Sequence, residues 1–203
     1  MGGLGVVDGD RHLITAVQEG TIHHIKHHVE NLDKDVNHAD QWNHHVIKHA
    51  AHRGDTEIAQ YLIEKGADPH VRTQEGRTTL HAAAHQGRHK MVEYLLTHGV
   101  NVDMVDDTFG YTALMMAITE LHHRHMDKDH ESVMKVLVEA GTDLINIRGK
   151  KNGKNALDIM EKKRLFHPKL HKWLHQKADE QKKREALEEQ KAKENGEDDK
   201  AEL

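Results

Sequence analysis

Apolar residues along the chain fall into two alternating registers. In the first, small residues pair up at Ala50 and Ala51, at Ala83 and Ala84, and again near Ala117. In the second, aliphatic pairs recur at Leu62 and Ile63, Leu95 and Leu96, and Leu137 and Val138. Each pair sits in a stretch of helical periodicity with one polar face, so the pattern predicts short amphipathic helices in couples. The alanines let the first helix of each couple pack closely on its neighbours, and the aliphatic stripe of the second faces the core. Gly66, Gly99 and Gly141 stand just past the second helices, where a left-handed exit from a helix favours glycine. Near the C-terminus, Leu165, Phe166, Leu170, Trp173 and Leu174 recur about every four residues and predict one further, capping helix.

The couples form a repeat. GRTTLHAAAHQG at 76–87 is followed by MVEYLL at 91–96 and GVN at 99–101. A shift of 33 carries Ile47 onto Leu80, Gly54 onto Gly87, Leu62 onto Leu95 and Gly66 onto Gly99. An earlier unit holds Leu13, Ala16, Gly20, Ile25 and Val29 before DVN at 35–37. A later one reads GYTALMMA at 110–117 and VMKVLV at 133–138, with about nine residues inserted between, and a partial unit opens with GKNALDIM at 153–160. A period near 33 residues is the mark of a stacked solenoid.

These segments resemble the ankyrin repeat, whose signature runs G-x-T-P-L-H-x-A-A, then V-x-x-L-L, then G-A-D. The resemblance spans roughly residues 10–175 and implies an all-α solenoid of about five helix-pair units with β-hairpin fingers, similar in scale to myotrophin-like proteins. No single repeat buries its own apolar face, so stacking supplies the core. The chain is thereby divided into a flexible N-terminus (1–10), repeats over 11–160, a capping helix (161–187) and an acidic tail, disordered or a frayed helix (188–203). Within the array the units are 11–40, 41–73, 74–106, 107–148 with its insertion at 121–129, and a partial 149–160.

Composition narrows the function. Hydrophobic residues reach only 36% of 203 and aromatics 3%, which suits a thin solenoid core better than one large globule. With no cysteine, disulfides, thiolate metal sites and cysteine nucleophiles are excluded. A net charge of −5 argues against nucleic acid as the partner. No secretory or membrane-spanning segment is legible, and Val6 stands where a myristoylation motif after Gly2 requires Ser or Thr. The terminal KAEL resembles a degenerate ER-retention signal with no entry signal to serve it. A cytoplasmic or nuclear monomer is expected. No phosphate-binding loop, nucleophile elbow or dinucleotide fingerprint is present, so no enzyme activity and no required cofactor are expected. The basic stretch from Lys162 to Arg184 reads as a solvated helix face rather than a phosphate site.

The resemblance implies a protein partner, held at finger tips and on the concave face of the first helices, with the chain acting as adaptor or inhibitor. The tips bring Gln41 and Trp42, then Gln74, Glu75 and Arg77, then Phe109 and Tyr111. Trp42 and Tyr111 are the expected anchors, because aromatic side chains carry large contact area at low entropy cost, with Phe109 packing against a neighbouring finger.

Histidine is the outlier, with 22 residues. His23/His27 and His24/His28 are i,i+4 pairs able to chelate a divalent metal. His45, His49 and His52 step along one predicted helix, and His52 and His85 occupy equivalent places in successive repeats. His122, His123 and His125 lie in the insertion. These positions make zinc, nickel, copper or haem binding the alternative function, and pH-dependent binding a third, since imidazoles titrate near pH 6.5. His81 fills the histidine of the repeat signature and His49 and His28 align with apolar positions, so these three are expected to be structural. The resemblance also implies asparaginyl hydroxylation at Asn37 of the DVN triplet, with His70 at the equivalent place one repeat later.

Overall fold

In the computed structural model, residues 9–121, 128–164 and 167–201 are described. Ten α-helices occur among them: α1 Gly9–Glu19, α2 Ile22–Glu30, α3 Val46–Arg53, α4 Thr56–Glu64, α5 Thr79–His85, α6 His89–Thr97, α7 Ala113–Thr119, α8 Lys128–Glu139, α9 Ala156–Glu161 and α10 Pro168–Ala201. Successive couples stack into an all-α solenoid. Helices α1, α3, α5, α7 and α9 lie side by side as an inner row, while α4, α6 and α8 form an outer row behind it.

The core is the seam between the rows. Ala50, Ala51, Ala83, Ala84 and Ala117 are completely buried, as are Leu62, Leu95 and Leu137 opposite them. Small side chains on one helix and aliphatic ones on the other permit a close helix approach without voids. Gly66, Gly99 and Gly141 all have positive φ, as expected of a left-handed exit. The glycines ending the inner helices meet a second constraint. At Gly54 (φ 80°), an added Cβ would fall 2.6 Å from Arg88 Cδ, so the next repeat crosses this backbone closely.

That crossing forms a ladder of basic side chains. Arg53 Nη1 donates to Gln18 O (2.6 Å), Arg88 Nε to His52 O (3.4 Å), His130 Nε2 to His85 O (3.0 Å) and Lys163 Nζ to Thr119 O (3.3 Å). Each carbonyl belongs to the last turn of an inner helix, whose final carbonyls have no intrahelical donor and carry the negative end of the helix dipole. The ladder accounts for His130, which is buried just after the insertion in the place that Arg88 fills one repeat earlier.

Three boundaries differ from the sequence reading. The last helix opens at Pro168 rather than at 161, since proline is suited to a first helical position and disfavours helix in the residue before it. It runs on to Ala201, through the stretch from 188 whose composition predicts disorder or a frayed helix. Lys, Glu, Gln and Ala are strong helix formers, and ion pairs such as Lys177–Glu180 (2.8 Å) line the exposed face. Its first turns are anchored by buried Leu170, Leu174 and Ala178 and by Gln181, whose Nε2 donates to Asp143 Oδ1 at 2.9 Å. At the other end, Gly9 and Asp10 already belong to α1, although they fall in the stretch predicted to be flexible. Among the described residues, no helix is long and apolar enough to cross a membrane.

Candidate functional site

Between each outer helix and the next inner helix the chain forms a finger. Ala39 pairs with His45 and Arg72 with Thr78, in antiparallel fashion. Asp106 N–H donates to Tyr111 O (2.9 Å) and Gly149 N–H to Lys154 O (2.9 Å) in the two fingers that follow. A polar side chain organises each turn from inside. Asp40 Oδ1 accepts from the backbone N–H groups of Trp42 (2.9 Å) and His44 (2.8 Å). Asp106, completely buried, accepts from Thr108, Phe109 and Tyr111. The turn then passes through a left-handed residue, Asn43, Gly76 or Gly110.

Trp42, Glu75 and Phe109 immediately precede those residues and so hold equivalent places at successive tips. Their carbonyls tie the tips together. Gln74 N–H donates to Trp42 O (3.3 Å), Asp107 N–H to Glu75 O (2.7 Å) and Lys150 N–H to Phe109 O (2.6 Å). Side chains add to the ladder: Gln74 Nε2 donates to Gln41 O (2.9 Å) and Asn43 Nδ2 to Arg72 O (2.7 Å). The fingers therefore present one continuous edge.

On that edge Trp42 is 52% exposed and Phe109 37% exposed, against a background of buried aliphatic residues. Gln41 and Gln74 are also exposed, while Glu75 and Arg77 are half-buried. Tyr111 lies lower on its finger, half-buried, with its hydroxyl accepting from Asn152 Nδ2 at 2.6 Å and its ring 5.6 Å from Phe109. Phe109, expected to be the packing residue, is the more exposed of the two, because the turn places the residue before Gly110 outermost. Behind the tips, Lys48 of α3 faces Glu75, Arg77 and Asp40; burial, partly offset by Glu75, holds its ammonium below the usual lysine range. Glu75 is kept ionised below the ordinary carboxyl value by the Thr73 hydroxyl.

The histidines separate into several environments. His81 is buried with both ring nitrogens bonded: Nε2 donates to Tyr111 O (2.9 Å), and Nδ1 accepts from Thr78 N–H (3.2 Å). His45 holds the N-cap position of α3 without bonding the helix through its side chain, and its Nδ1 lies 2.9 Å from Asn37 O. His23, His24 and His27 are exposed on α2 and His28 is half-buried there. Adjacent rings lie 6.3 Å apart for His23 and His24 and 6.0 Å apart for His27 and His28. His52 and His85 are exposed on neighbouring inner helices. Burial and then the charge of His85 keep His52 below its ordinary value. His122, His123 and His125 lie outside the described residues. Asn37 bridges two turns, donating to Gly66 O and accepting from Asp68 N–H, both at 2.9 Å, and the exposed His70 donates its N–H to Asp68 Oδ1.

Two groups of metal-ligating side chains converge among the described residues, and neither is legible as such from spacing alone. One is Asp40, His44 and His49; the other is Glu161, His171 and His175. In each, the ligating atoms lie within 4.8 Å of one another. Only His49 stands among the histidines singled out from the sequence. His171 and His175 carry the i,i+4 spacing that could have marked them. Asp40 and His44 join His49 only because a finger turn folds back on α3.

A family model described as ankyrin repeats (3 copies) matches residues 13–106 and 47–145. The E3 ubiquitin-protein ligase hecd-1 of Caenorhabditis elegans is 33% identical over 135 residues, covering 66% of this chain and 5% of that protein. The nuclear factor NF-kappa-B p105 subunit of Gallus gallus is 30% identical over 105 residues, 51% of this chain and 10% of that one. Protein phosphatase 1 regulatory subunit 12A of Mus musculus is 28% identical over 145 residues, 65% of this chain and 14% of its own. The chain thus spans a small part of each of these relatives, and the matches cover only the repeats.

Proposed function

The chain belongs to the ankyrin-repeat family and is a protein–protein interaction module; from that premise we propose that it acts as an adaptor or inhibitor, seizing its partner along the finger edge. The observation that carries this reading is the pair of exposed aromatics at equivalent tips, Trp42 and Phe109, on fingers already tied together by backbone hydrogen bonds. Exposed aromatic anchors on a rigid support lose little entropy on binding, and such residues dominate interface energetics. The polar groups beside them, Gln41, Gln74, Glu75 and Arg77, supply a hydrogen-bonding rim. The ligase and phosphatase names of the relatives belong to those proteins, whose similarity here is confined to the repeats.

The test uses the whole chain as bait, with a partner identified by crosslinking and then purified. Trp42→Ala combined with Phe109→Ala should weaken that complex by at least about 30-fold, since a typical aromatic anchor contributes about 2 kcal/mol. Leu32→Ala, exposed beyond α2 and away from the tips, serves as the control. Equal affinity for wild type and double variant, with unchanged melting temperature, would refute the finger edge as the binding surface.

A further inference from the structure

We infer that Asp40, His44 and His49 form a binding site for a divalent transition-metal ion of the zinc class at the root of the first finger. The proposal stands apart from the partner-binding reading, and either can fail without the other.

The geometry begins with the turn. Asp40 spends Oδ1 on the backbone N–H groups of Trp42 and His44, which fixes the carboxylate and leaves Oδ2 3.3 Å from His44 Nδ1. The His44 ring meets the His49 ring edge-on, at a centroid distance of 6.1 Å and an angle of 79°. One ligand atom from each residue falls within 4.8 Å of the others. Metal bonds of about 2.0–2.2 Å to nitrogen and oxygen need ligand atoms roughly 3.3–3.6 Å apart. A closure of about 1 Å, within reach of side-chain rotation, would therefore complete the site. Two imidazoles and one carboxylate suit zinc, nickel or copper and leave a fourth position for water or a partner's ligand.

His49 is a residue the fold does not otherwise explain. The equivalent positions in the next two repeats hold Ala82 and Met116, both buried apolar side chains. Nδ1 of His49 lies 3.3 Å from Gln18 Nε2, while Nε2 is buried with no hydrogen-bond partner. Burying a polar nitrogen unpaired is destabilising, and coordination removes that penalty. Gln18 can supply the second contact that metal-bound imidazoles require, once its amide turns to present its oxygen. Burial, followed by the charges of Lys48 and His44, lowers His49 to about 4, so it is already neutral, as a ligand must be. Burial pushes the Asp40 carboxyl up, but the two backbone donors outweigh it and hold the group ionised. The charges facing the site are Lys48, which opposes a cation, and Asp40 and Glu75, which offset Lys48, with His52 on the next turn of α3.

The second cluster is less suited. Glu161 is already engaged by His171 Nε2 at 2.6 Å and by Arg164 Nη1 at 3.3 Å, a guanidinium that would compete with the ion. It serves as the internal control.

The experiment is calorimetric titration of the untagged full chain with Zn²⁺ at neutral pH, paired with fluorescence in a Trp173→Phe background. There Trp42, whose ring lies 6.2 Å from that of His44, is the sole tryptophan. The tightest Zn²⁺ site should weaken at least tenfold in His49→Ala, the residue repeat three carries there, and in Asp40→Asn, which keeps the acceptor for the turn. Cu²⁺ should quench Trp42 stoichiometrically, a chelator should reverse the quenching, and the quenching should vanish in His49→Ala. Zn²⁺ should also raise the melting temperature of wild type and not of His49→Ala. The proposal is overturned if the tightest site survives both substitutions. It is equally overturned if that site moves instead with His171→Ala or with His23→Ala plus His27→Ala, or if the Cu²⁺ quenching of Trp42 persists in His49→Ala.

Discussion

Replacing His81 tests whether a single imidazole couples repeat three to the finger of repeat four. The ring is 1% exposed and is the neutral tautomer with hydrogen on Nε2, because Nε2 donates to a carbonyl and Nδ1 accepts from an amide. His81→Ala strands the Tyr111 carbonyl and the Thr78 N–H and empties the space of a ring. Each buried group left unpaired costs about 1–3 kcal/mol, so with the lost packing the substitution should cost about 3–4 kcal/mol. His81→Met, which installs the residue found at the equivalent Met115, keeps apolar volume but not the bonds and should cost about 2 kcal/mol. Urea unfolding followed by circular dichroism at pH 7.5 measures both. Burial, partly offset by the hydrogen bond to Tyr111, depresses the folded-state pKa of His81. The unfolded chain then takes up its proton first, near pH 6.5, so this part of the stability is intact above that value and is lost as pH falls below it. Between pH 7.5 and 5 the wild type should lose more stability than His81→Met. A loss below about 1 kcal/mol for His81→Ala would show that the ring is not the coupling element, because one stranded buried group alone should exceed it.

Three further outcomes follow from the same geometry. In the presence of a chelator, His49→Ala should reduce the acid sensitivity of the fold. The unfolded value near 6.5 and the folded value of about 4 place the effect between those pH values, at roughly 2 kcal/mol by pH 4 after allowance for partial exposure, read from urea midpoints. Asp106→Ala removes the acceptor for three backbone N–H groups and should cost about 2–4 kcal/mol, with Asp106→Asn recovering most of it in thermal unfolding. His130→Ala should cost about 1–2 kcal/mol by leaving the α5 terminus uncapped, whereas His130→Arg, the choice made at Arg88, should restore it; equal stability of all three would contradict the capping ladder.

Much of the fold was legible because a solenoid repeats its physics. Ala83 packs as Ala50 does, and Gly99 turns the chain as Gly66 does, so a one-dimensional comparison of positions locates the helices and their exits. For the tail, sequence left two states open, a disordered stretch and a frayed helix. Composition shows that residues past 188 bury nothing, but not that a helix nucleated and anchored at Leu170, Leu174 and Ala178 can propagate through good helix formers. At the finger edge, sequence named the aromatics but ranked Tyr111 above Phe109, and the greater exposure of Phe109 depends on which residue precedes the left-handed turn.

The histidines mark the boundary most clearly. Sequence alone determined the period, the pairing of helices, the buried alanine and leucine faces and the structural place of His81, because all of these depend on positions close along the chain or one repeat apart. Only the tertiary structure decided that His49 meets Asp40 and His44, and that His130 caps the helix ending at His85. Those contacts depend on how a finger folds back on its helix and how one repeat crosses the next, and the side-chain directions that create them are set by packing rather than by spacing.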